Sequence, residues 1–116
     1  MTIFKIYHNP KCSKSKEALM LLNDKGFKVD IILYMKNKIT TEELKQILMK
    51  LKFSANDLLR KNEKIYSEKK LQIKTFSENQ LISLMLEYPN LIQRPIVEVN
   101  QTAIIARPAE KILSLI

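Results

Sequence analysis

An α/β fold, with a parallel strand–helix–strand start, a helical middle and a closing β-hairpin plus helix, follows from three features of the sequence. Two short apolar runs, Ile3 to Tyr7 and Val29 to Leu33, bracket a helix-length segment that ends beside the only glycine of the chain, Gly26. The stretch from Thr40 to Pro89 repeats apolar residues at helical spacing behind Thr and Ser starts. The last third returns to two apolar runs, Pro95 to Val99 and Thr102 to Ala106, around Asn100-Gln101.

The elements are justified in order. Ile3 to Tyr7 is a strand by its apolar and aromatic content. A helix follows from Ser13 or Ser15 to about Lys25, carrying Ala18-Leu19-Met20-Leu21-Leu22, and Gly26 suits the left-handed position that closes it. Val29 to Leu33 is the second strand. A strand–helix–strand unit of this length predicts parallel strands with a right-handed crossover. Thr40 followed by Glu43 is a capping box, and Leu44, Ile47, Leu48 and Leu51 then fall on one helix face. Ser54 with Asp57 opens a short helix, Ala55 to about Lys61. After a polar stretch, Ser77 caps a helix with Leu81, Leu84, Met85 and Tyr88 on one face, which Pro89 ends. Asn100-Gln101 is a two-residue hairpin turn, and Pro108 starts a last helix, Ala109 to Leu115.

At 116 residues the chain is long enough for one domain with its own core. The order of elements resembles a thioredoxin-like domain, 1–116, with helices inserted at about 40–90. In that fold a proline, often after a cis bond, starts the third strand and faces the reactive cysteine; Pro95 is the candidate. No apolar run spans a bilayer and no signal peptide is visible, and a lone cysteine forms no internal bridge. These point to the cytoplasm. The net charge of +8 favours anionic partners. The lysines are nevertheless scattered, without an arginine-rich arm, finger spacing or aromatic–basic interleaving, so nucleic acid is not expected. No His/Cys cluster supports a metal.

Cys12 carries the chemistry. It falls at the strand-to-helix junction, in Tyr7-His8-Asn9-Pro10-Lys11-Cys12-Ser13-Lys14-Ser15. A thiol at a helix N-terminus meets unpaired N–H groups and the positive end of the helix dipole. Those groups and the neighbouring Lys11, Lys14 and Lys16 lower its pKa below the free-cysteine value of about 8.5. His8, the only histidine, either stabilises the thiolate as an imidazolium or hydrogen-bonds within the loop. Ser15 either donates to the sulfur or caps the first helix.

This loop resembles the active-site loop of the glutathione- and glutaredoxin-dependent arsenate reductases. Leu58-Leu59-Arg60-Lys61 is similar to their central arginine motif, and Arg94-Pro95-Ile96-Val97 and Ala106-Arg107-Pro108 are similar to their two C-terminal ones. The four motifs stand in order over essentially the whole chain. The resemblance implies that Cys12 attacks arsenate as nucleophile, that Arg60, Arg94 and Arg107 hold the oxyanion, and that His8 and Ser15 tune the thiolate. It also implies that glutathione, as co-substrate, and glutaredoxin supply electrons, that arsenite leaves, and that no cofactor is tightly bound. A monomer is the favoured state. Arginine suits the task, since its planar fork pairs bidentately with phosphate-like oxygens. The chain has only these three arginines.

After the cysteine, the arsenate reductases proper typically carry Gly-Thr-Ser-Arg, where this chain has Ser13-Lys14-Ser15-Lys16, as in a related branch. Two other readings use the same scaffold. Spx-type transcriptional regulators bind the RNA polymerase α subunit and usually carry a Cys-x-x-Cys switch, which Ser15 precludes here. A monothiol exchange enzyme acting on glutathione mixed disulfides needs only one low-pKa cysteine. With one cysteine, Cys12 depends on an external thiol for regeneration.

Overall fold

The computed structural model describes residues 2–71 and 75–116. They divide into two compact units, one made of Met1–Asn37 with Arg94–Ile116 and the other of Lys38–Gln93.

The first unit is built on a four-stranded sheet in the order β2-β1-β3-β4. Strand β1 is Ile3–Tyr7, β2 is Lys28–Ile32, β3 is Ile96–Val99 and β4 is Thr102–Ile105. β1 and β2 are parallel, with Ile3 opposite Lys28 and Tyr7 opposite Ile32. β1 pairs antiparallel with β3, and β3 with β4. Helix α1, Ser13–Asp24, crosses between β1 and β2. It closes as the glycine predicts: Gly26 has φ 80° and its N–H donates to Asn23 O, while Phe27 N–H donates to Leu22 O. The apolar faces of α1 (Ala18, Leu22) and of the C-terminal helix, Ala109–Leu115 (Ala109, Ile112), close over Phe4, Ile6, Val97 and Val99. Each large side chain buried there contributes about 1.5–3 kcal/mol. On the opposite face of the pleat, Lys5 and Glu98 face each other across β1 and β3, with Nζ 3.9 Å from Oε2. Asn100 supplies the positive φ, 54°, of the β3–β4 turn.

The C-terminal helix is of the 3-10 type rather than α. Its bounds, Ala109–Leu115, are those expected, with Pro108 as the N-cap. Both Arg94-Pro95 and Arg107-Pro108 are cis peptides. The first was expected from the fold, and the second had no sequence signal.

The second unit holds α2 (Thr41–Leu51), α3 (Ala55–Leu58), α4 (Lys64–Glu68), α5 (Glu78–Glu87) and a 3-10 turn, Pro89–Leu91. Capping boxes at Thr40–Glu43, Ser54–Asp57 and Ser77–Gln80 start α2, α3 and α5. α5 packs on α2 and α3 through Leu81, Ile82 and Met85. Three expectations are corrected. α3 stops at Leu58 instead of near Lys61, because Leu59 turns extended and bridges Ile92. Leu84 is only half-buried, and the buried face of α5 runs through Ile82 instead. Tyr88 lies past the end of α5 as its C-cap, where the Lys69 ammonium sits 5.6 Å above its ring. α4 had no sequence signal, since it buries no residue. Residues 72–74 of the polar stretch lie outside the described residues. No helix among the described residues is long and apolar enough to cross a membrane.

Candidate active site

The loop from His8 to Cys12 joins β1 to α1, and its backbone is bonded at nearly every step. His8 N–H donates to Ile32 O at 2.8 Å, extending the parallel pairing one residue past β1. Asn9 then organises the turn. Its carbonyl accepts Cys12 N–H at 3.0 Å, its side-chain Oδ1 accepts Lys11 N–H at 3.0 Å, and its own N–H donates to Ser15 Oγ at 3.1 Å. Asn9 was not among the candidate residues. Its only signal in the sequence was the tendency of asparagine to bond its own backbone two residues on.

Cys12 is the N-cap residue of α1, with φ −102° and ψ 120°, and is partly exposed. Its sulfur takes the place where a cap oxygen would sit, although no cap hydrogen bond of full geometry forms. Burial pushes the thiol up. The Arg94 side chain opposes this by hydrogen-bonding the sulfur, and the Ser15 N–H, the Arg94 charge and the Lys14 N–H act the same way. The net result lies below the ordinary thiol value. A lowered pKa raises the share of thiolate, which is the form that attacks electrophiles.

His8 is buried, and its Nδ1 lies 2.6 Å from Ser15 Oγ. Burial pushes its pKa down, and the positive charge of Lys16 adds to the effect. The ring is therefore neutral near pH 7. Of the two sequence alternatives, the structure contains the loop hydrogen bond, and burial and Lys16 both disfavour the imidazolium. Ser15 Oγ thus bonds both the Asn9 N–H and His8 Nδ1, tying the start of the loop to the first turn of α1. Ser15 is fully buried and does not cap α1, since Cys12 holds that position. Its hydroxyl binds the loop, while its main-chain N–H acts on the sulfur.

The three arginines differ in surroundings. Arg94 is joined to Cys12. Arg107 is exposed and is held at its backbone by N–H donation to Ile105 O at 2.9 Å. Arg60 belongs to the second unit. Its N–H donates to Leu91 O at 2.6 Å and Gln93 N–H donates to Leu58 O at 3.0 Å. These pin Leu58–Arg60 to the segment that precedes Arg94 in the chain. Its Nε lies 3.3 Å from Asn62 Oδ1 and 3.6 Å from Glu63 Oε2. Among the described residues no cluster of His, Cys, Asp and Glu is arranged to hold a metal ion.

The chain is similar to known proteins over nearly its whole length. The ArsC family profile matches residues 7–115. The chain belongs to the ArsC family. YfgD of Escherichia coli K12, named as an uncharacterized protein, is 41% identical over 97% of this chain and 95% of its own length. An arsenate reductase of Neisseria meningitidis serogroup B is 36% identical over 97% of each chain. Among solved structures, an arsenate reductase from Vibrio cholerae is 38% identical, covers 99% of this chain and 98% of its own, and superposes with a TM-score of 0.93. The ArsC fold is thus the thioredoxin-like α/β architecture expected from the order of elements.

Proposed function

We propose that this ArsC protein reduces arsenate to arsenite through Cys12, with glutathione and glutaredoxin as electron donors. The observation that carries the reading is the Arg94 side chain bonded to a Cys12 sulfur of lowered pKa at the start of α1. Its relatives named as arsenate reductases, 35–37% identical over 97–100% of the chain, support the choice of substrate.

The chemistry follows from the site. Cys12 thiolate attacks As(V), an S–As bond forms, and one oxygen leaves as water. A glutathione thiolate supplies the second sulfur. The two sulfurs leave joined as the Cys12–glutathione disulfide, their two electrons remain on arsenic, and arsenite departs. Glutaredoxin thiol then exchanges with that disulfide and restores Cys12. Arg94 serves twice, since a guanidinium that stabilises the thiolate also offers donors to the incoming oxyanion. Arg60 and Arg107 complete the oxyanion-binding set, and His8 with Ser15 holds the loop that presents the sulfur. The protein works in the cytoplasm in this reading, where glutathione keeps Cys12 reduced.

Arsenate-dependent oxidation of NADPH, coupled through glutathione reductase with glutathione and glutaredoxin present, tests this. Turnover that vanishes in Cys12→Ser supports it. Absent turnover, combined with rapid reaction of Cys12 with a glutathione mixed disulfide, would replace it with monothiol exchange.

A further inference from the structure

We infer that Glu63 sets how tightly Arg60 holds an oxyanion, by acting as a built-in anion opposite its guanidinium. This rests on the reading of Arg60 as a substrate-binding residue and adds a specificity-determining residue to it.

Three observations carry the inference. The Glu63 carboxylate lies 3.6 Å from Arg60 Nε, and both side chains are largely covered, at 22% and 18% exposure. An ion pair so placed is screened less than a surface pair. Glu63 is also the N-cap residue of α4, a position where a side-chain oxygen ordinarily satisfies the free N–H groups of the first turn. Its carboxylate makes no such bond and is turned to Arg60 instead. Finally, the Nε side of the guanidinium is occupied by Asn62 Oδ1 at 3.3 Å and by Glu63, whereas Nη1 is buried and has no hydrogen-bond partner among the described residues. A buried donor of this kind is a candidate to bond a ligand acceptor.

The two neighbours therefore do different things. Asn62 is neutral and gives Nε its hydrogen bond, so it orients the fork. Glu63 lies beyond hydrogen-bond range of Nε and acts through charge. It cancels part of the positive field that an oxyanion on Nη1 experiences, and it repels a doubly charged oxyanion more than a singly charged one. Without its charge, Arg60 binds anions more tightly and discriminates more strongly for the dianion.

The experiment compares the full-length wild type with Arg60→Ala, Glu63→Gln and the double variant. It measures inorganic phosphate binding by calorimetry, and KM and kcat for arsenate. Glu63→Gln is expected to tighten phosphate binding and lower KM about fivefold, with kcat unchanged or reduced. In the Arg60→Ala background the same change has a smaller effect, because an oxyanion that has lost Nη1 no longer sits beside Glu63. Glu63→Ser, which removes the charge and adds a good helix cap, repeats the sign with a helix that is no less stable. Weaker or unchanged phosphate binding in both Glu63 variants, while Arg60→Ala weakens it, overturns the inference and leaves Arg60 as an anion ligand. If Arg60→Ala leaves phosphate binding and KM unaltered, the substrate-binding reading of Arg60 falls and takes the inference with it.

Discussion

Arg94 and Arg60 carry the same charge into opposite local settings. Arg94 follows the helical insertion and precedes a buried proline at the start of β3, and its side chain is committed to the Cys12 sulfur. Arg60 stands after a four-residue helix and is met by an amide and a carboxylate from the next three residues. In the first setting the partner is the Cys12 sulfur, so the pairing lowers the thiol pKa. In the second the protein's own anion is a spectator carboxylate, so the pairing attenuates charge. An arginine's value to an oxyanion site thus depends on what already occupies its fork, which a motif does not reveal.

The most severe way to break the comparison is to remove the sulfur. Cys12→Ser is expected to abolish arsenate turnover to the uncatalysed level while retaining the melting behaviour of the wild type near neutral pH. Phosphate binding should survive, because the arginines remain. A Cys12→Ser protein that still reduces arsenate with glutathione would separate the reaction from the loop altogether.

Arg94→Ala comes next. Losing a charge-assisted hydrogen bond worth about 1.5–3 kcal/mol slows thiolate chemistry by about one to two decades. It also moves the pH midpoint of Cys12 alkylation up toward that of a free thiol, because burial, which raises the pKa, is then less opposed. The sign for stability follows. With a folded pKa below the ordinary value, ionised Cys12 stabilises the fold fully above the ordinary thiol pKa, and the gain is lost as pH falls through the lowered one. Arg94→Ala should diminish this dependence, read from urea midpoints at several pH values. Arg94→Lys, which keeps charge but loses the fork, should fall between. An unmoved alkylation midpoint in Arg94→Ala would show that the helix N-terminus alone ionises the thiol.

Much of this was legible in the sequence where a local rule has one outcome. Ile3–Tyr7 forms the strand its apolar and aromatic run calls for, Gly26 takes the positive φ that suits no other residue as well, and Thr40 with Glu43 makes both bonds of its capping box. Legibility ended where a residue had several possible partners. Ser15 has the chemistry of a cap, yet the cap position went to Cys12 and the hydroxyl to His8 and Asn9, a choice made by how the loop folds back on α1. His8 is neutral because burial and Lys16 both oppose its charge, and neither burial nor that proximity is readable from spacing. Leu59 was read as helical from Ser54 and Asp57, but a bridge to Ile92, thirty-three positions away, ended the helix first. α4 escaped because it lacks an apolar face, and its Glu63 could be read only as a surface charge until Arg60 was seen beside it.

The smaller effects concern how the loop is held. Ser15→Ala removes the acceptor of Asn9 N–H and the partner of His8 Nδ1 in a buried place, at a cost of about 1–3 kcal/mol. The Ser15 main-chain N–H remains, so the alkylation midpoint of Cys12 should hardly shift. A large upward shift in that midpoint would mean that the hydroxyl itself stabilises the thiolate, which is the other role the sequence allowed it. His8 adds a pH signature. Its depressed pKa means that the fold prefers the neutral ring, so stability is complete above the ordinary histidine value and declines as pH falls through the lowered one. Ser15→Ala leaves the burial of His8 in place and should keep that acid-side decline, whereas His8→Gln, which has no proton to gain, should flatten it. If the decline persists in His8→Gln, the acid sensitivity belongs to carboxylates elsewhere, and the loop is held by the Asn9 turn more than by its histidine.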